Sequence, residues 1–318
     1  MIALERPVEA LSQQALQAQR RGAGGPLARD FLEQALIATV QGFEQSLAAF
    51  RQQPDSEAVH ELRIAARKLR GTIALIKRLA RNDHLTQISE HAKKVAKALA
   101  NARETDVLIQ AFQRQSGQKH EAKGHSEFAT VLAGRREDSR QRAIAAIAET
   151  GAIHLAHMTR RLNGAPRQQL RALDNMNRHD AKALARDVAA RLLDRLAQRV
   201  DKRSRRLHKM GDRKRHELRI AIKNLRYGTE LFLPLFEHDS RLPRYLSRLG
   251  KLQNELGTCN DAAAAKGQVA DILRGQSRAV RKAAKDFLAS QKARKKKSIA
   301  KLTRRVKRLK RAATFWHS

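Results

Sequence analysis

The chain has 318 residues, and its 66 Lys and Arg against 31 Asp and Glu give a formal charge of +35. So large an excess opposes compaction through self-repulsion and is most easily understood if an anionic partner offsets it. One cysteine, Cys259, excludes an internal disulfide, and no run approaches the roughly 20 apolar residues of a membrane span.

Taken in chain order, residues 1–26 read as a flexible N-terminal segment whose scattered charges do not suit export, so a cytoplasmic location is expected. Apolar residues at helical spacing, such as Phe31, Leu32, Leu36, Val40, Phe43, Leu47 and Phe50, then predict helices over 27–52, 57–81, 84–115 and 125–149. Residues 151–178, with Gly151, Gly164 and Pro166, form a looser connection. Further helices are predicted over 180–209, 213–237, 242–273 and 277–312. Charge is unevenly spread: 23 basic and 17 acidic residues over 1–150, 43 and 14 over 151–318.

The sequence repeats itself. His60-Glu61-Leu62-Arg63-Ile64-Ala65 returns as His216-Glu217-Leu218-Arg219-Ile220-Ala221, and Arg67, Leu69 and Arg70 return as Lys223, Leu225 and Arg226. The shift is 156 positions. Downstream, Val95 and Leu99 fall on Leu252 and Leu256 at a shift of 157, and Arg103-Glu104 on Asn260-Asp261. Upstream, Leu32, Leu36 and Val40 fall on Val188, Leu192 and Leu196 at 156. The expected fold is all-α: two four-helix bundles, over 27–150 and 179–316, related by an approximate two-fold internal repeat.

On a helix advancing about 100° per residue, His60, Arg63, Arg67 and Arg70 make a basic ridge beside the apolar face of Leu62, Ala66, Leu69 and Ile73. His216, Arg219, Lys223 and Arg226 repeat it. Like charges three and four residues apart repel, so the ridge costs stability unless an anion sits among them. A solvated face is the competing explanation, weakened because the ridge recurs with its spacing intact.

This doubled His-x-Leu-Arg-x-x-x-Arg/Lys-x-Leu-Arg pattern resembles the CHAD family, the conserved histidine α-helical domain. Arg103-Glu104-Thr105-Asp106-Val107-Leu108 resembles the family's Arg-Asp-x-Asp-Val-Leu, and Gly257-Thr258-Cys259-Asn260-Asp261 its Gly-x-x-Asn-Asp. Phe315-Trp316 resembles the family's ending, so the resemblance runs from about residue 27 to 316. It departs at Glu104, where Asp is usual, and at Ala100, which stands where the second half has Gly257; both departures are expected to concern helix packing. The resemblance implies two bundles whose basic residues line a central groove or pore, and a protein that binds inorganic polyphosphate. The lack of a metal site and catalytic dyad makes a non-catalytic protein the expectation, and because binding a polymer at several sites can cross-link it, a role at polyphosphate granules overlaps with that reading.

Flanking cations are candidates for the same surface: Lys93 and Lys97 on the third helix, Arg248 and Lys251 on its counterpart, and Arg191, Arg195 and Arg199 on the helix over 180–209. Asp106 is expected to pair with a neighbouring Arg rather than act as a base, and Cys259 to be a buried apolar residue. The segment Lys292–Arg311 holds twelve basic residues in twenty and reads as a docked amphipathic helix that could double as a second anion-binding surface. His154 and His157 lack the further ligands zinc needs, so no metal and no cofactor are expected. Neither a Walker phosphate loop nor a Glu-x-Glu-x-Lys motif is present. Nucleic acid is the rival partner, as in a nucleoid- or RNA-associated protein, because electrostatic affinity alone does not separate the two polyanions. Against it stand few aromatic residues, nine Phe, two Tyr and one Trp, most of the Phe on apolar stripes.

Overall fold

The computed structural model describes residues 25–80, 82–116, 123–149, 173 and 175–317 and is all-α. The expected N-terminal segment, most of the 151–178 connection, and His154 and His157 lie outside the described residues. The helices are α1 (Ala28–Gln52), α2 (Ser56–Ile76), α3 (Asp83–Ala98), α4 (Ala100–Ser116), α5 (Lys123–Glu149), α6 (Arg178–Lys182), α7 (Ala185–Arg203), α8 (Asp212–Leu231), α9 (Leu242–Ile272) and α10 (Arg278–Lys310). Short 3₁₀ turns occupy Leu207–Lys209, Leu233–Leu235 and Phe315–His317.

Local chemistry sets the boundaries. The Asp55 carboxylate accepts from Ala58 N at 2.8 Å and caps α2, Asn82 caps α3 through Leu85 N at 3.0 Å, and Ser277 caps α10 through Val280 N at 3.2 Å; such caps are each worth about 1 kcal/mol. Three expected spans are corrected. The helix over 84–115 is two helices, interrupted at Leu99, whereas its counterpart α9 runs unbroken. The helix over 213–237 stops at Leu231, because Pro234 has no N–H to continue the ladder and instead opens a 3₁₀ turn. The helix over 180–209 begins at Ala185, behind the separate short α6, and ends at Arg203.

Elements that correspond under the sequence shift touch one another: α1 packs on α7, α2 on α8, α4 on α9 and α5 on α10. At the start of α1 and α7 the contact is reciprocal. Leu27 pairs with Leu184 in an isolated antiparallel bridge, Ala28 N donates to Ala183 O, and Ala185 N donates to Pro26 O, both at 2.9 Å. Both bonds obey a shift of 157. The buried faces agree, since Ala28, Phe31, Leu32, Ala35 and Leu36 correspond to Ala185, Val188, Ala189, Leu192 and Leu193. The upstream alignment at 156 is therefore one residue out. An apolar stripe at i, i+3 and i+4 tolerates that slip because neighbouring rows on a helix are both apolar.

Two cores hold the helices. The larger draws on α1, α2, α3, α7 and α8, the N-terminal half of α9, the C-terminal half of α10, and Phe315 and Trp316. The smaller joins the far ends of α4, α5, α9 and α10 through Leu108, Phe112, Phe128, Leu132, Val269, Val280 and Phe287. There Phe112 meets Phe128 and Phe287 edge-on, with ring centroids 5.0 and 5.8 Å apart. Both cores cross from one half of the chain to the other. No helix among the described residues is long and apolar enough to cross a membrane.

Candidate functional site

The contact of α2 with α8 brings the two basic ridges together. Gly71 and Tyr227, which correspond at a shift of 156, meet there: a Cβ on Gly71 would lie 3.6 Å from Tyr227 Cδ2. Around this point Arg63, Arg67 and Arg219 act on one another. Burial pushes the Arg63 guanidinium below its ordinary value, and Arg67, Arg103 and Arg219 push the same way. Burial likewise lowers Arg219, with Asp261 opposing and Arg67 adding to the depression. The Nε atoms of Arg63, Arg70 and Arg219 are buried without a hydrogen-bond partner among the described residues. None of Arg63, Arg67, Arg70 and Arg219 has an ion pair among the described residues. Arg63 Nη1 reaches only Ala100 O, at the long distance of 3.5 Å.

The remaining ridge members are held. Lys223 is buried with its ammonium 5.7 Å from the Tyr227 ring centroid. Arg226 bonds Glu230 at 2.7 Å and Gln253 at 3.4 Å. His216 is exposed and its Nδ1 lies 2.8 Å from Asn260 Oδ1. His60 is half-buried; burial first and the neighbouring Arg103 second hold its imidazole below the ordinary value.

The flanking candidates separate into three groups. Lys93 pairs with Glu90 at 3.0 Å, and Glu90 feels Arg70 and Lys77, so this face of α3 borders the α2 ridge; Lys97 continues it one turn on. Arg195 and Arg199 gather beside Arg78, whose guanidinium is lowered first by burial and then by Arg199 and Arg195. Arg191 is instead paired with Asp180. Arg248 and Lys251 do not join the ridge. On α9 it is Gly250 and Gln253 that face Arg226, while Arg248 and Lys251 point to the other flank, toward α10.

Several residues at the seam were not among the sequence candidates. Arg78 lies in the turn just past α2, at an angle that continuing the 100° step from His60 could have revealed. Arg103 sits by His60. Glu104, expected to concern packing, is exposed and its charge acts on Arg63. Asp261 retains solvent access, yet the protein around it pushes its carboxyl above the ordinary value, with Arg219 the main opposing influence. These two carboxylates correspond at a shift of 157, Glu104 acting on Arg63 and Asp261 on Arg219. Asp106 is buried and accepts from Arg136 Nε and Ser56 Oγ, both at 2.8 Å, as a structural pairing would have it. Cys259 is buried, and burial pushes its thiol up. Among the described residues no group of three or more His, Cys, Asp or Glu is placed to hold a metal ion.

The sequence model of the family described as the CHAD domain matches residues 34–270. A crystal structure of the CHAD domain from the plant Ricinus communis superposes with a TM-score of 0.73 at 20% identity, covering 91% of this chain and 94% of that one. PptA from Streptomyces chartreusis superposes at 0.62 and 19% identity, over 89% of this chain and 100% of that one. At these identities the likeness is one of fold. No curated protein matches the chain.

Proposed function

Since the chain belongs to the CHAD domain family, we propose that it binds inorganic polyphosphate along the seam of α2 and α8 without turning it over. The observation that carries this reading is the gathering of Arg63, Arg67 and Arg219, none of them in an ion pair among the described residues, where burial and mutual repulsion lower Arg63 and Arg219 against the pull of Glu104 and Asp261. A polymer with roughly one charge per phosphate supplies the missing counter-charge, and guanidinium groups read phosphate oxygens bidentately. Lys93, Lys97, Arg78, Arg195 and Arg199 lengthen the track on either side. In this reading the chain is two related four-helix units, over 27–150 and 179–316, and the two ridges form one shared basic groove. The contacts of α1 with α7, α2 with α8, α4 with α9 and α5 with α10 support that relation. A cytoplasmic location, at granules where the polymer accumulates, goes with this reading.

The aromatic residues favour polyphosphate over nucleic acid. All nine Phe, Tyr245 and Trp316 are buried, and Tyr227 is taken up by Gly71 and Lys223, so bases find no stacking platform at the seam. The deciding experiment is displacement of labelled long-chain polyphosphate by DNA, RNA and heparin at fixed ionic strength. Polyphosphate should resist all three, and equal displacement by each would reduce the seam to a generic basic surface. Incubation of the polymer with the protein and Mg²⁺ should leave its chain length unchanged; release of phosphate in excess over the protein would make it an enzyme.

A further inference from the structure

The extra charge of the second half does not lie in the ridge, which both halves carry. It lies mainly in α10, with fifteen basic residues and one acidic, against five and four in α5. Part of it closes a cleft. Between α9 and α10 is a cavity of about 430 Å³ lined by Arg244, Ser247, Arg248, Lys251, Arg305 and Arg308. Five cations and one hydroxyl line it, and among the described residues no carboxylate does. Arg244, Arg248, Lys251 and Arg308 have no ion pair among the described residues. Arg305 is positioned by Glu255, which is itself buried and accepts from Nη2 at 2.7 Å, while the Arg305 Nε is enclosed without a partner.

The cleft is separate from the seam. Residues 250 and 253 of α9 face Arg226, and the cleft residues lie about 90–170° from their midpoint around the same helix. Nor is the cleft a by-product of duplication. At the 157 shift its α9 residues Arg244, Ser247, Arg248 and Lys251 correspond to Gln87, Glu90, His91 and Lys94. A basic set imposed by the scaffold would recur; here the first half carries one Lys and places a carboxylate where the second has a hydroxyl. Convergent cations without counter-charge cost stability, and the cost is relieved by an anion that several guanidinium groups can grip at once. The volume falls in the range of about 300–1,000 Å³ typical of small-molecule sites, which suits a compact anion better than a long polymer.

We infer that the α9–α10 cleft is a second anion site, distinct from the seam, that takes a compact oligophosphate. The inference stands apart from the polyphosphate reading. It is tested with inorganic tripolyphosphate, by calorimetry at fixed ionic strength, on the full chain carrying R63Q/R67Q/R70Q so that the seam is weakened. Adding R248Q/K251Q/R308Q should lower tripolyphosphate affinity at least about tenfold. Should that variant fail to fold, Lys251→Gln alone, at an exposed position, should still lower affinity about threefold. Tripolyphosphate affinity unchanged by the cleft substitutions would overturn the cleft site and leave the seam untouched. Long-chain polyphosphate binding unchanged by R63Q/R67Q/R70Q would overturn the seam reading and leave the cleft untouched.

Discussion

At one place the two halves of the molecule can be compared residue for residue. His60 stands beside Arg103 and His216 beside Asn260; the histidines correspond at 156 and their neighbours at 157. In the first half the histidine is half-buried against a cation; in the second it is exposed and hydrogen-bonded to a neutral amide. The same drift runs along the ridges. Arg70 has no carboxylate one turn further along its helix, because Ala74 stands where the second half has Glu230, which bonds Arg226. Helices that correspond under the sequence shift thus differ in the charge balance around them. The first half holds the less compensated ridge and the second the larger total charge. On the polyphosphate reading, an anion is expected to be gripped where local neutralisation is weakest rather than where the net charge per half is largest.

The largest expected effect tests that statement. R63Q/R67Q/R70Q should weaken long-chain polyphosphate binding by on the order of 100-fold or more, since each lost charged hydrogen bond is worth about 1.5–3 kcal/mol. Arg219→Gln with Lys223→Gln and Arg226→Gln should cost less, because Arg226 is already bonded to Glu230 and Lys223 is buried over Tyr227. Affinity measured against salt should show a shallower slope for both, more so for the first. Equal losses would mean that ion pairing within the protein does not set ligand strength here.

Next in size is a stability effect confined to the first half. Asp106 corresponds to Ala263, so the link from α4 to Ser56 and Arg136 has no second copy. Asp106→Asn should lower unfolding free energy by about 1–3 kcal/mol, read from chemical denaturation, with polyphosphate affinity little changed. A smaller gain is expected from Glu230→Gln. Freeing Arg226 from its 2.7 Å partner should raise polyphosphate affinity a few-fold and bring the second ridge closer to the first.

The doubled ridge was legible in the sequence because spacing alone fixes which residues share a helix face. So was the apolar role of the Phe residues, all of which are buried. What lay outside it was set by neighbours. Arg248 and Lys251 lie on the flank of α9 that faces α10, and nothing in their own spacing says whether α8 or α10 lies on that side. Arg103, Glu104 and Asp261 reach the seam only because α4 and α9 meet. The break at Leu99 has no proline or glycine to announce it, unlike the stop that Pro234 imposes on α8.

The smallest expected effect returns to the histidines. Burial and Arg103 hold His60 below the ordinary histidine value near 6.5 in the empty protein, while Glu61 and Glu57 act the other way and Arg63 adds to the depression. Because the folded value is depressed, the unfolded chain takes up a proton first as pH falls below about 6.5, and stability declines through that window. Polyphosphate laid beside His60 reverses the local field and raises the value, so binding takes up protons and affinity should rise as pH falls from about 7 toward 5.5. The gain is bounded near tenfold for each unit by which the ligand raises the value. His60→Gln should remove most of it. His216→Gln, where the ring is exposed and hydrogen-bonded to Asn260, should remove less. Affinity measured across that pH range for the wild type and both variants decides the point. An identical pH slope in all three would make His60 a packing residue of the α2 start, leaving the arginines and lysines alone to grip the polymer.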